Sequence, residues 1–179
     1  FSVGPKTAGF AVLLRIFLNF WGASPESQLV FWVLWTISVL TMVVGNLVAL
    51  RQTNVKRILA YSSIAHAGYI LVAVLAGDPT SLVFYLTAYV FMNVGAFGAV
   101  IGMSRRGREY NELEDFAGIG FKYPWIGGTL AVFLFSLAGF PPTAGFLAKF
   151  YVFSAAVRVG LVPLVIIGVV ASLISVFYY

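Results

Sequence analysis

Leu137-Ala-Gly-Phe-Pro-Pro-Thr-Ala-Gly-Phe-Leu-Ala-Lys149 decides how this chain folds. It lies inside an apolar stretch from about Trp125 to Val157, too long for one plain bilayer crossing, which takes about 20 residues. Gly139, Pro141, Pro142 and Gly145 do not fit a straight helix, and each proline removes a backbone donor. Lipid offers the freed carbonyls no partner, so they must find protein or water. The stretch therefore predicts a broken helix with Lys149 on its second half, a simple proline kink being the plainer alternative. Discontinuous helices at membrane depth mark ion-coupled transporters.

Lys149 lies about nine residues before Arg158, roughly 13 Å from that interface at helical rise. That is near the middle of a hydrocarbon core about 30 Å thick, where a lysine costs about 2.5–3.5 kcal/mol on insertion scales. Such a residue is functional by default; the bland reading pairs it with an acid on another helix for assembly only. Its expected setting is the positive end of the second half-helix, with a mobile carboxylate opposite. A lysine so placed could load and release a proton as its surroundings change. No basic cluster accompanies it, which argues against a dedicated anion site.

Outward from this stretch the rest of the chain is equally apolar. Hydrophobic residues make up 61% and charged residues 9%, against about 25% charged in a soluble domain. Too few charges remain to cover a water-facing surface, so the fold class is all-α, a polytopic transmembrane helix bundle. Residues 1–179 read as a single membrane domain. The other spans are expected from near Phe1 to Trp21, Leu29 to Leu50, Asn54 to Ala76, Ser81 to Met103, and Val162 onward. Gly22-Ala23-Ser24-Pro25 and Gly77-Asp78-Pro79 are turns, and Thr53 or Asn54 is a plausible N-cap. An apolar run already in progress at Phe1 suggests an interior piece of a longer protein.

The net charge of +5 sits in short connectors, where it reports orientation and not nucleic-acid binding. Arg51, Lys56 and Arg57 in one connector, and Arg105, Arg106, Arg108 and Lys122 in another, fall on one face; Arg158 and Arg15 lie toward the other. The positive-inside rule puts residues 51–57 and 104–123 on the cytoplasmic side, or its matrix or stromal equivalent. Trp21, Trp32, Trp125 and several tyrosines near segment ends fit an aromatic belt. With no cysteine, thiolate metal sites and iron–sulfur ligation are excluded from this chain.

Two further ionisable residues stand inside the apolar segments. Lys6, after Pro5, lies within the core but nearer the basic face; it is either a pathway lysine or an end-of-helix residue that snorkels. His66, the sole histidine, shares a helix face with Ser62 and Tyr69, beside Ser63. Such a row could pass protons, or the histidine could simply bond a neighbouring helix. Asn46 and Asn93 read as interhelical hydrogen-bonding residues, and Lys56 and Arg57 as orientation anchors. Gly118-x-Gly120 follows no strand and is no nucleotide loop. No metal ligand set is apparent.

Two long runs then carry a resemblance. Gly45-Asn-Leu-Val-Ala-Leu-Arg-Gln-Thr-Asn-Val-Lys-Arg-Ile-Leu-Ala-Tyr-Ser-Ser-Ile-Ala-His-Ala-Gly-Tyr69 resembles the core of the antiporter-like subunits of respiratory complex I. Ser136-Leu-Ala-Gly-Phe-Pro-Pro-Thr-Ala-Gly-Phe-Leu-Ala-Lys-Phe-Tyr151 is similar to the N-type subunit in particular, as is Glu114-Asp-Phe-Ala-Gly118. The M-type subunit is expected to carry a Glu where Lys149 stands. The resemblance implies a proton-translocating membrane subunit of NADH–quinone oxidoreductase. Lys149 would be the lysine of the broken helix near the proton exit. Lys6 would be the central lysine, and His66 would line the hydrophilic axis between them. It implies no cofactor in this chain, with NADH, FMN, iron–sulfur clusters and quinone on other subunits. Neighbouring antiporter-like subunits and lipid would be its partners, in a bacterial inner membrane or an organellar counterpart. The alternatives are a cation/proton antiporter subunit of a multisubunit exchanger or membrane hydrogenase, and a scaffold subunit that does not pump.

Overall fold

The computed structural model describes residues 4–20, 25–104 and 111–179. Trp21, the turn at residues 22–24, and Arg105, Arg106 and Arg108 lie outside the described residues. Among the described residues, eight α-helices follow in order: α1 Gly4–Phe20, α2 Pro25–Leu50, α3 Val55–Leu75, α4 Pro79–Ser104, α5 Ile119–Lys122, α6 Pro124–Ala138, α7 Ala144–Arg158 and α8 Val162–Ser175. Three stretches, Glu26–Leu50, Val55–Leu75 and Pro79–Met103, are long and apolar enough to cross a membrane individually. The expected fifth span is divided between α6 and α7, each 15 residues long.

Local chemistry sets the helix ends. Asn54 caps α3, its side chain accepting the Arg57 N–H at 3.2 Å. Prolines open α2, α4 and α6, where a missing N–H costs no helical bond. The basic connectors expected on one face meet directly. The Val55 N–H donates to the Asn111 carbonyl and the Leu113 N–H to the Thr53 carbonyl, both at 2.9 Å. Trp32 and Trp125 are exposed, as belt residues should be, but Tyr85 and Tyr89 are buried. Those two are core residues, spaced one helical turn apart on α4.

The bundle is organised around α3, which packs against α1, α2, α4, α7 and α8. Its buried positions run through all faces of the helix, as expected for a central helix and not for an amphipathic one. The outer faces of α2, α4 and α8 expose Leu29, Val33, Leu40, Phe91, Val94 and Leu173 among others, which suits hydrocarbon. α4 packs along both α6 and α7 and bridges the break between them.

The break is tightly fitted. Gly139 adopts φ 87°, open to glycine and strained for other residues. Its N–H donates to the Phe135 and Ser136 carbonyls and the Phe140 N–H to the Phe135 carbonyl, closing α6 as a Schellman turn. The Pro141–Pro142 peptide bond is cis. Thr143 then caps α7, its Oγ1 accepting the Phe146 N–H at 3.4 Å. Gly145, buried, passes so close to α6 that a Cβ there would run into the Ser136 carbonyl. Gly145→Ala is accordingly expected to cost roughly 1–3 kcal/mol by overpacking. Gly128→Ala, where a Cβ meets open space, should be neutral. Thermal melting of the detergent-solubilised protein, followed by size exclusion, distinguishes the two.

Candidate functional site

Lys149 stands one and a half turns into α7 and is 5% exposed. Its Nζ turns back across the break. It donates to the Ala138 carbonyl at 2.8 Å, the Leu137 carbonyl at 3.2 Å and Ser172 Oγ on α8 at 2.9 Å. Three ammonium hydrogens thus meet three neutral oxygens. The Tyr69 ring centroid lies 5.2 Å from Nζ, a cation–π distance. Gly139 makes room: a Cβ there would lie 3.1 Å from Lys149 Cδ and Nζ.

This arrangement revises one expectation. The sequence placed Lys149 between the positive end of α7 and a carboxylate. Instead its head sits on the negative, carbonyl end of α6, where the last turn leaves acceptors unfilled. Among the described residues the groups that hold Nζ are uncharged. From Lys149 a groove of about 660 Å³ runs between α7 and α8 to Arg158, lined by Phe146, Phe150, Phe153 and Leu173.

His66, on α3, and Lys6, on α1, both bond neighbouring elements through hydroxyl groups. His66 is 2% exposed. Its Nδ1 is 2.7 Å from the Tyr85 hydroxyl and its Nε2 is 3.3 Å from the Tyr179 hydroxyl. Lys6, half-buried, donates to Ser63 Oγ at 2.7 Å and the Ser63 carbonyl at 3.1 Å. Lys6 is therefore tied to the bundle interior. Ser63 Oγ in turn bonds the Tyr89 hydroxyl. Tyr69, one turn beyond His66, meets the imidazole edge-on at 5.7 Å. Lys6 and Lys149 thus both reach residues of α3, Ser63 and Tyr69, on either side of His66 along the helix.

The two asparagines behave differently. Asn46 links helices as expected, donating to the Tyr69 hydroxyl at 3.4 Å and accepting from Tyr178 at 2.6 Å. Asn93 donates only within its own helix, to the Tyr89 carbonyl at 3.1 Å, and its Oδ1 is buried with no partner.

Sequence reasoning missed Tyr85, Tyr89, Ser136, Ser172 and Tyr179. The one-turn spacing of Tyr85 and Tyr89 on an apolar helix was a signal available in the sequence. Ser172 carries no mark in the sequence, since its role depends on how α8 packs. Ser136 Oγ accepts the Gly145 N–H at 3.1 Å and lies 2.9 Å from Met92 Sδ, pinning the start of α7 to α6 and α4.

Comparison with known proteins matches residues 1–175 to the family NADH:quinone oxidoreductase/Mrp antiporter, TM. The chain belongs to that family. It is 50% identical over 183 residues to NADH-quinone oxidoreductase subunit N of Trichlorobacter lovleyi, covering 99% of this chain and 37% of that protein. Among solved structures, respiratory complex I from Thermus thermophilus with bound aureothin matches at a TM-score of 0.80 and 40% identity. That match covers 96% of this chain and 37% of the matched one. An archaeal membrane-bound sulfane sulfur reductase matches at a TM-score of 0.86 and 28% identity, over 96% of this chain and 36% of its own. The chain thus spans 37% of the length of the curated relatives it matches. The helical membrane fold is shared across the family, and the likeness to subunit N is the stronger at the level of sequence.

Ser136→Ala leaves the buried Gly145 N–H without its acceptor and is expected to destabilise the protein by about 1–3 kcal/mol. Thr129→Ala, which loses only an exposed bond within its own helix, should change stability little. Chemical denaturation in mixed micelles, read by tryptophan fluorescence, compares them.

Proposed function

We propose that this chain is part of a proton-translocating subunit of NADH–quinone oxidoreductase, and that Lys149, His66 and Lys6 carry protons through it. One observation carries the reading. Two lysines and a histidine, Lys6 half-buried and the other two buried, are held around α3 by hydroxyls, carbonyls and an aromatic ring and not by carboxylates. Such residues are costly in lipid and persist where they serve a pathway. The clamp of Lys149 on the α6 carbonyls gives its proton a mechanical consequence. A neutral amine offers two hydrogens to three acceptors, so release of the proton frees one contact across the break or to α8. A change at the break can in turn alter what Lys149 holds. The groove toward Arg158 is the route by which such a proton would leave.

In this reading the chain holds no redox centre; NADH, FMN, iron–sulfur clusters and quinone are bound by other subunits. Its partners are neighbouring antiporter-like subunits and the lipid around α2, α4 and α8. The membrane is the bacterial inner membrane, with residues 51–57 and 104–123 cytoplasmic. Residues 1–179 form one piece of the antiporter-like module. A second reading, a cation/proton antiporter subunit, is favoured by the Mrp antiporters that share the family. It predicts sodium- or potassium-dependent exchange without NADH oxidation.

The test is NADH-driven proton uptake in inverted vesicles carrying the full-length parent with Lys149→Ala, beside Lys149→Arg. Artificial-acceptor activity confirms assembly. Quinone reduction and pumping are expected to fall by about tenfold or more in both variants, because arginine keeps the charge but does not release its proton. Normal pumping in the alanine variant would make Lys149 structural and the subunit a scaffold.

A further inference from the structure

His66 is held at both ring nitrogens by tyrosine hydroxyls from different parts of the bundle: Tyr85 on α4 at Nδ1, and Tyr179, just past α8, at Nε2. The Ser62 side chain lies beside the Tyr179 hydroxyl and donates to the Leu59 carbonyl at 2.9 Å. Ser62 adjoins Ser63, the residue that holds Lys6. A neutral imidazole has one N–H donor and one bare acceptor nitrogen. Between two hydroxyls it accepts from one and donates to the other, and the reverse arrangement differs only in tautomer and in the rotation of the hydroxyls.

We propose that Tyr85 and Tyr179 are proton-relaying residues, forming with His66 a hydroxyl–imidazole–hydroxyl wire on the path already assigned to Lys149, His66 and Lys6, on which this inference rests. In one transfer a proton from water arrives at the Tyr85 oxygen, and the Tyr85 hydroxyl hydrogen moves to Nδ1. The Nε2 hydrogen moves to the Tyr179 oxygen, and the Tyr179 hydroxyl hydrogen leaves to water, the Ser62 hydroxyl being engaged with the Leu59 carbonyl. Each oxygen gains one hydrogen as it loses one. The ring changes tautomer, no electron moves, and no charge remains on the imidazole.

The surroundings limit how often this happens. After one transfer the hydrogen sits on Nδ1, so a second proton cannot follow in the same direction until the ring and its hydroxyls reorient and the Nε2–H tautomer is restored. The rings of Tyr69, Tyr85 and Tyr89 stand 5.7, 6.0 and 5.3 Å from the imidazole, centroid to centroid. A ring so enclosed turns over only when its neighbours give way. The wire passes one proton per loosening of the cage, which ties proton movement to helix movement.

A purely structural histidine would need the same two hydrogen bonds, so the test must keep the bonds and remove the relay. Glutamine does this: its amide donates at one end and accepts at the other, but does not exchange a proton between them. Proton uptake is measured in inverted vesicles carrying the full-length parent in its assembled complex, with His66→Gln, Tyr85→Phe and Tyr179→Phe beside Lys149→Ala. The relay predicts that all three fall by about tenfold or more. Tyr85→Phe removes a single oxygen and keeps the packing, so it gives an answer even where substitution of His66 disturbs assembly. Wild-type pumping by His66→Gln or Tyr85→Phe, with Lys149→Ala impaired, overturns the relay and leaves the wider path standing. Wild-type pumping by Lys149→Ala as well overturns both.

Discussion

A helix that stops inside a bilayer leaves its last carbonyls without donors, and lipid supplies none. The end of α6 is such a place, and the structure answers with Lys149. The lysine comes from α7 and not from α6, its stem passing over Gly139 at the break. The same contact settles two costs at once. The ammonium, which lipid cannot solvate, finds three oxygens, and the carbonyls, which lipid cannot bond, find hydrogens. Ser136, Gly145 and Thr143 fix where α7 begins, so they decide where the lysine head arrives.

That dependence explains why the site is polar yet nearly uncharged. Around α3 the partners of Lys6, His66 and Lys149 are hydroxyls, carbonyls and aromatic rings. A buried carboxylate beside Lys149 would form an ion pair that is hard to separate. Neutral acceptors hold the cation less firmly, and each can turn to another partner. Asn93 Oδ1, buried and unpaired on α4, is one more acceptor of this kind in the bundle.

Much of this was legible from the chain alone. Gly139, Pro141, Pro142 and Gly145 announced the break because their backbone restrictions are local. The place of Lys149 on the second half-helix followed from its position after the break. The pairing of the two basic connectors followed from the charge rule, and the bridge between Thr53–Val55 and Asn111–Leu113 agrees with it. What the sequence hid was direction. Lys149 lies near the start of α7, so its neighbour in sequence is a helix N-terminus, but a long side chain reaches whatever lies across the gap. Tyr85 and Tyr179 stand 19 and 113 positions from His66, and no periodicity in one helix reports which face of another it meets.

The central claim is that the Lys149 ammonium closes the broken helix by binding the carbonyl end of α6. An electron cryomicroscopy map of the full-length subunit in its assembled complex, resolved well enough to place Nζ, tests this most directly. The account predicts Nζ within hydrogen-bond reach of the Leu137 and Ala138 carbonyls, with Ser172 completing the set. A lysine head turned away to a carboxylate on another element, or an unbroken helix through residues 139–143, would contradict it.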